Sequence, residues 1–463
     1  MSLKPLKVNL FPDPPSLVKI IGPSFIILGL GLGSGEIILW PYLASNYGMG
    51  IIWGALLGLT FQFFMNMEIE RYALVRGESV FVGLARKIRG ISFWFLLSTF
   101  IPWVWPGIIA SSAKLFGTVF GFGETKYLAI IFLIIIGLIL SLGPVLYKTV
   151  ETLQKTLILI GVPTIFFLSI FLANQTHWID LLKGSIGIGN NYNFLPAGIP
   201  IASFLAALAY AGAGGNLNLA QAFYIKEKGF GMGKYSGRIT SVLTGKKEEI
   251  SVEGSKFEIT NQNLSNFKKW WRNINIEHFL IFWLTGSVTI VLLSLLAYAT
   301  TYGLGGNSAS INFVLTEGKI IGERIFPFAG VFFLLIAGFT LFGTQLTVFD
   351  ATSRILSENL ILSIPSKFSG KQIPAIYYTV LWLQILGGIT IFLMGFSEPL
   401  QLLIIAAVLN AFAMFVHVGL TLWLNLTSLE KVLRPAFLRI TMMLLAFFFY
   451  GGFSLYVFYD VFF

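Results

Sequence analysis

A single carboxylate lies in the middle of the first long apolar stretch of the sequence. The stretch runs over residues 22–48, and its centre reads Gly33-Ser34-Gly35-Glu36. Glycine weakens a helix because it loses the most backbone entropy on ordering, and an ionisable side chain inside an apolar span marks a functional site by default. We therefore expect a helix break here, with Glu36 as a metal ligand, as the carrier of a coupled proton or as the cap of the second half-helix.

A second glycine cluster, Ala213-Gly214-Gly215-Asn216, interrupts the apolar stretch at 196–225. Half-helices that start at such breaks present free backbone N–H groups and the positive end of a helix dipole, which favour anions, and glycine lets a small ligand approach the backbone. The two breaks therefore predict a substrate site for a small anion. Its predicted members are Gly33, Ser34, Gly35, Glu36, Tyr210, Ala213, Gly214, Gly215, Asn216 and Asn218.

The apolar stretch at 325–356 carries a polar stripe, Thr344, Thr347 and Asp350. Residues three apart lie on one face of a helix, so this stripe, together with Glu36, is a candidate site for a coupling ion such as Na⁺. The alternative for Asp350 is a pair within the helix with Arg354, four residues further on.

Membrane helices must position these residues. Hydrophobic residues make up 56% of the chain and charged residues 11%, which is typical of a polytopic membrane protein. No Ser-His-Asp, Walker or zinc-protease pattern supports an enzyme, and the lack of cysteine excludes thiolate metal sites. Stretches of roughly 20 apolar residues predict eleven helices, at 19–46, 50–75, 93–121, 127–144, 153–173, 196–225, 277–302, 325–356, 373–395, 398–425 and 436–461.

The positive charges predict the orientation of these helices. Of the 31 lysines and arginines, 25 fall on the side of the N-terminus and four on the other side. Because positive charges accumulate in cytoplasmic segments, we expect a protein of the inner or plasma membrane with its N-terminus inside and its C-terminus outside. This asymmetry also explains the net charge of +10 without a nucleic-acid partner.

The two breaks fall in the first and the sixth helix, at matching positions of two five-helix blocks. Interrupted spans at corresponding positions of two halves are typical of inverted-repeat transporters and of their substrate site. We therefore predict a cytoplasmic tail (1–18), a first repeat (19–173), an outer loop (174–195), a second repeat (196–425) and an eleventh helix (426–463). The second repeat contains a polar cytoplasmic insertion (227–276), in which alternating residues at 238–243 and 249–260 indicate a β-hairpin.

Several motifs resemble the Nramp family of divalent-metal transporters. Gly22-Pro23 precedes the first break by ten residues, and Tyr47-Gly48 follows it; Arg76-Gly77-Glu78-Ser79, Asn216-Leu217 and the segment 343–347 extend the likeness over most of the chain outside the insertion. The resemblance implies a LeuT-type fold of two inverted five-helix repeats, with one extra helix here, in an all-α membrane protein.

The motifs that bind metal in that family are replaced in this sequence. The family's Asp-Pro-Gly-Asn corresponds to Gly33-Ser34-Gly35-Glu36, its Met-Pro-His to Ala213-Gly214-Gly215, and a second histidine to Ala220. The family's acidic residues of the third helix fall in the stretch 103–108, which has no group that titrates near neutral pH. The methionine sulfur that selects soft metals is therefore missing, and Glu36 is the carboxylate that remains.

These observations lead to two hypotheses for a secondary transporter. The first substrate is a small anion of the bicarbonate or carboxylate type, coupled to Na⁺ or to a proton. The alternative is a divalent cation, Mg²⁺ or Mn²⁺, held by Glu36 and backbone oxygens. A sensor that has lost transport is a third class. We expect the lipid bilayer and a small ionic substrate as partners and no cofactor; a monomer is compatible with the sequence.

Overall fold

The structure is a computed structural model and describes residues 5–143, 146–237, 239, 251–364 and 370–462. Within these residues ten helical segments are long and apolar enough to cross a membrane. We number the spans in the order of the predicted helices. They are span 1 (Pro23–Tyr47), span 2 (Met49–Arg76), span 3 (Ile91–Phe120), span 4 (Thr125–Leu142), span 5 (Leu146–Leu172), span 7 (Asn261–Thr301), span 8 (Pro327–Ser363), span 9 (Ile373–Leu393), span 10 (Pro399–Ser428) and span 11 (Phe437–Phe462).

The sixth predicted helix is divided into pieces, which we call span 6. It consists of an α-helix at Ile201–Ala209, a 3₁₀ segment at Gly215–Ala220 and an α-helix at Gln221–Lys228. The residues between the first two pieces are not helical, as the glycine cluster predicts. With span 6 included, the structure is consistent with eleven spans and confirms the all-α membrane fold.

Span 1 is interrupted at its glycine-rich centre, but the interruption is short. The α-helix Pro23–Gly31 passes through a short turn into a π-helical segment, Ser34–Leu39, and then into the α-helix Trp40–Tyr47. Across the turn the backbone N–H of Leu32 donates to Leu28, and that of Ile37 donates to Gly33. The expected break is therefore a two-residue turn followed by an underwound stretch of helix.

Spans 4, 5, 9 and 11 lie at the periphery and span 1 at the centre. The most apolar stretch of span 1 is completely buried, whereas only 28–33% of the corresponding stretches of the four peripheral spans are buried. Their exposed side chains are largely phenylalanine, leucine and isoleucine, which suit contact with lipid tails. The chain is thus a multi-pass membrane protein that encloses span 1.

Short elements lie between the spans. They are helices at Leu17–Ile20, Val80–Ala85, Gln175–Gly184 and Asn312–Arg324, 3₁₀ turns at Gly231–Tyr235, Gly370–Gln372 and Lys431–Leu433, an antiparallel strand pair, Ile188–Gly189 with Tyr192–Asn193, and a parallel pair, Lys7–Val8 with Ser255–Lys256.

The parallel strand pair joins the N-terminal tail to the insertion. The first arm of the predicted hairpin lies almost entirely outside the described residues, and the described part of its second arm pairs with the tail through Lys7 and Ser255. Asn261 then begins the helix that leads into span 7. The insertion also contacts the turn after span 2, because the backbone N–H of Gly254 donates to Glu78 at 3.0 Å.

Candidate functional site

Spans 1 and 6 touch backbone to backbone at the predicted substrate site. A Cβ atom on Gly35 would lie 1.6 Å from the carbonyl oxygen of Tyr210, and one on Gly31 would lie 2.7 Å from the Cα atom of Gly212. Glycine is required at both positions because any side chain would meet the other backbone. These glycines therefore serve the contact between the two helices, and they do not line an open cradle in this conformation.

Span 8 covers the neighbouring face of span 1. A Cβ atom on Gly33 would lie 2.5 Å from Thr344 Oγ1, and that hydroxyl donates to the carbonyl oxygen of Gly29 at 2.8 Å. Thr347 Oγ1 donates within its own helix and accepts from Gln154 Nε2 at 2.6 Å. Both threonines of the predicted coupling-ion stripe thus lie against or near span 1, with their hydroxyls already hydrogen-bonded.

Asp350, the third member of that stripe, belongs to a separate buried network. Arg354 Nε donates to both of its carboxylate oxygens, at 2.9 and 3.0 Å, and the Tyr377 hydroxyl donates at 2.8 Å. Arg354 also pairs with Glu227 at the end of span 6. Asp350 and Arg354 therefore form the pair within the helix that the sequence analysis gave as the alternative to an ion site.

The carboxyl group of Glu36 is fully buried without any partner. Its side chain lies in the π-helical segment, directly after the residue that touches Tyr210, and it has an exposed fraction of 0%. Neither carboxylate oxygen has a hydrogen-bond partner among the described residues. Ser34, two residues before Glu36, is buried as well. A buried carboxylate without compensation is unfavourable unless a proton or a cation joins it, so Glu36 marks a place for a positively charged ligand.

Tyr210 and the glycines that follow it form the break in span 6. The ring of Trp103 stacks on Tyr210 with centroids 5.4 Å apart, and Asn410 Nδ2 donates to the tyrosine hydroxyl at 2.9 Å. Gly214 and Gly215 have φ angles of +72° and +56°, which favour glycine because a Cβ atom would be strained there. Contacts with spans 3 and 10 thus hold the break in place. Ala213, which was predicted to belong to the substrate site, is buried within the break.

The two asparagines after this break bind to spans 2 and 3. Asn216 Nδ2 donates to Ser98 and Thr99 at 2.9 and 3.0 Å. Asn218 Nδ2 donates to Gln62 and Asn66, at 3.0 and 2.8 Å. Among the described residues the buried Oδ1 atoms of Asn216, Asn218 and Asn410 have no partner. These oxygen acceptors suit a cation or a hydrogen-bond donor.

Sequence reasoning missed the polar residues that surround the break. Gln62 and Asn66 are four residues apart in span 2, a spacing that places them on one helix face, and both are fully buried. His417 of span 10 contacts the carbonyl oxygen of Gly215 at 3.0 Å. The sequence feature that could have identified these residues is the helical spacing of polar side chains within apolar stretches.

A buried carboxyl group that lies outside the spans, Glu317, also has an unpartnered oxygen among the described residues. It belongs to the helix Asn312–Arg324, is 2% exposed, and its Oε1 atom has no partner among the described residues. Burial raises the pKa of Glu317 well above the usual value of a glutamate. The unfolded chain, in which the pKa is about 4.3, therefore loses this proton at a lower pH than the folded protein does.

We expect the stability of the protein to fall as the pH rises above about 4, because the folded state then binds more protons than the unfolded state. Glu317→Gln removes this contribution, so its melting temperature should exceed that of the wild type by a margin that grows with pH until the folded pKa is passed. Glu323→Gln, on the same helix but 61% exposed in its side chain, is the matched control. A margin for Glu317→Gln that is constant between about pH 4 and about pH 8 would contradict the assignment.

Comparison with known proteins supports the fold through structure alone. No protein-family model and no curated protein sequence matches the chain. Among solved structures, a manganese transporter of Eremococcus coleocola aligns with a TM-score of 0.70 at 12% identity, over 99% of this chain and 90% of the other. Mhp1, a nucleobase-cation-symport-1 family transporter, aligns with 0.55 at 13% identity, over 97% and 96%. MhsT, solved in complex with L-phenylalanine, aligns with 0.51 at 15% identity, over 95% and 98%. The chain therefore has the LeuT-type fold.

Proposed function

We propose that this protein is a secondary transporter with Nramp-like architecture that moves a hard divalent cation, Mg²⁺ or Mn²⁺. The transport cycle is alternating access around the contact between spans 1 and 6. Its N-terminus faces the cytoplasm, as the distribution of lysine and arginine indicates. The manganese transporter among its structural relatives is compatible with this substrate class.

The observation that carries the proposal is the buried, unpartnered carboxylate of Glu36. A hard cation needs oxygen ligands, and Mg²⁺ commonly keeps several waters while it binds one or two carboxylates. In this proposal Glu36 supplies the negative charge, and backbone oxygens and bound waters complete the coordination. Span 1 is underwound at this level, and π-helical turns frequently occur at functional sites.

The small-anion hypothesis gains less support from the same residues. An anion would have to lie beside Glu36, which is repulsive unless the carboxyl group of Glu36 carries a proton. The breaks in spans 1 and 6 are features that still suit an anion, so bicarbonate remains the substrate to compare against.

The test is uptake of Mn²⁺ and Mg²⁺ into proteoliposomes that contain a metal-sensitive dye. We expect uptake by the wild type and a loss of at least about tenfold for Glu36→Gln, because that substitution removes the charged ligand and keeps the shape of the side chain. Glu317→Gln is the matched control, since it neutralises another buried carboxyl group away from spans 1 and 6. Equal uptake by wild type and Glu36→Gln would exclude Glu36 as the ligand.

A further inference from the structure

A chain of buried polar side chains joins spans 1, 2 and 7 near the N-terminal end of span 1. Ser24 Oγ lies within hydrogen-bond distance of Glu277 and 2.7 Å from His278 Nδ1. The same imidazole nitrogen is 3.2 Å from Glu70 Oε1. The exposed fractions of these four residues do not exceed 4%. Two carboxyl groups are thus connected through one hydroxyl and one imidazole, away from Glu36.

The hydrogen bonds fix where the protons of this chain lie. A serine hydroxyl has one hydrogen, so if Ser24 donates to Glu277, the Nδ1 atom of His278 carries the hydrogen that faces Ser24 and Glu70. Gln221 Nε2 donates to Glu70 Oε1 at 2.7 Å. Every donor to the two carboxyl groups in this arrangement is neutral. The rings of Phe63 and Phe282 stack on the imidazole of His278, and its Nε2 atom has no partner in the part of the chain that the structure describes.

No cation contacts the two carboxyl groups of the cluster directly. Among the described residues neither Glu70 nor Glu277 forms an ion pair with a lysine or an arginine. The charged and titratable groups that face the cluster from neighbouring elements are Arg439 of span 11, Lys228 of span 6 and Tyr147 of span 5. Arg439 contacts Glu68 at 3.4 Å and Lys228 contacts Glu151 at 2.9 Å, and these two carboxylates also pair with Arg71 and Lys155.

We propose that Glu70, Glu277, His278 and Ser24 form a proton-binding site that supplies the coupling proton of the transporter. This inference rests on the proposed transport function. Two ionised carboxylates buried without a cation are strongly unfavourable, whereas one proton shared along the chain leaves a single negative charge with neutral donors.

Glu277 connects this proton to the position of span 1. Its Oε1 atom accepts the backbone N–H groups of Gly22 at 3.1 Å and Ser24 at 3.4 Å, at the N-terminus of a helix that has no side-chain cap of its own. A carboxylate at a helix N-terminus is stabilised by the helix dipole. A proton on Glu277 weakens this cap, and a proton on Glu70 leaves it intact, so the location of the proton sets how firmly span 1 is held to span 7.

Infrared spectroscopy of the purified protein tests proton binding without any substrate. We expect a carbonyl-stretch band of a protonated carboxyl group at neutral pH that is lost or shifted in Glu70→Gln or in Glu277→Gln. Glu36→Gln and Glu317→Gln identify the bands of the other buried carboxyl groups. If one variant fails to fold, the other and His278→Gln, which should shift the same band, still decide the question. A spectrum that none of the three substitutions changes would overturn the proposal.

Flux measurements then test coupling, with Mn²⁺ and a pH-sensitive dye in the same vesicles. We expect the wild type to move protons with Mn²⁺, and Glu70→Gln to keep Mn²⁺ uptake while its proton flux falls by roughly tenfold or more. Mn²⁺ uptake by the wild type without proton movement would overturn the coupling role and leave the proposed substrate intact. A wild type that shows the infrared band but takes up no Mn²⁺ would support the proton site and contradict the proposed function.

Discussion

Replacing Arg354 with methionine is expected to lower the free energy of unfolding by about 3–5 kcal/mol. The guanidinium group is 1% exposed and lies between Asp350 on its own helix and Glu227 on span 6. Methionine fills much of the volume but leaves both carboxylates buried without a cation, and that uncompensated charge is the source of the loss. Chemical unfolding in mixed micelles, followed by circular dichroism, measures it.

The double variant Arg354→Met with Asp350→Asn provides the internal control for this prediction. It should be more stable than Arg354→Met alone, because one of the two isolated carboxylates becomes neutral. Lys319→Met is the external control, since Lys319 is exposed and only 3.8 Å from an exposed partner, Glu323, and such pairs contribute little. Equal losses for Arg354→Met and Lys319→Met would show that the buried network does not join spans 6 and 8.

Gly35→Ala is expected to have the second-largest effect, a destabilisation of about 3 kcal/mol. The added methyl group would lie 1.6 Å from the carbonyl oxygen of Tyr210, so spans 1 and 6 would have to separate. Backbone cannot rotate away as a flexible side chain can, and the loss therefore cannot be relieved locally. The melting temperature in detergent, compared with that of the wild type, measures the effect.

Gly452→Ala is the matched control for this substitution. Gly452 also lies in a membrane helix, but a Cβ atom there would meet no other atom within 4 Å. Alanine is favoured over glycine in helices by up to about 1 kcal/mol, so this variant should be as stable as the wild type or slightly more stable. If Gly35→Ala is also as stable as the wild type, spans 1 and 6 do not make the close contact described above.

The architecture could be predicted from the sequence because it depends on hydrophobic length. Ten of the eleven predicted stretches correspond to helices long and apolar enough to cross a membrane, and the other is the divided span 6, which the cluster Ala213-Gly214-Gly215 interrupts. The positive φ angles of Gly214 and Gly215 explain why glycine at these positions was informative. Long apolar runs and backbone requirements of this kind are local properties, and a single sequence records them.

The site was less predictable because it depends on which faces meet. Gly35 was predicted to let a ligand approach the backbone, but a side chain there would meet Tyr210 of span 6, just as one on Gly31 would meet Gly212. Composition cannot distinguish a glycine that makes room for a ligand from one that makes room for another helix. Similarly, His278 contacts Ser24 and Glu70, which are more than 200 positions away in the sequence, and no local pattern indicates these contacts.

Comparison of two fluxes in one vesicle preparation tests the central claim most directly. Wild-type protein and Glu36→Gln are reconstituted with a metal-sensitive dye, and Mn²⁺ uptake is measured beside bicarbonate uptake with and without a Na⁺ gradient. The account predicts Mn²⁺ uptake that depends on Glu36 and no bicarbonate flux above that of empty vesicles. Bicarbonate flux by folded protein that takes up no Mn²⁺ would contradict it and identify the substrate as an anion.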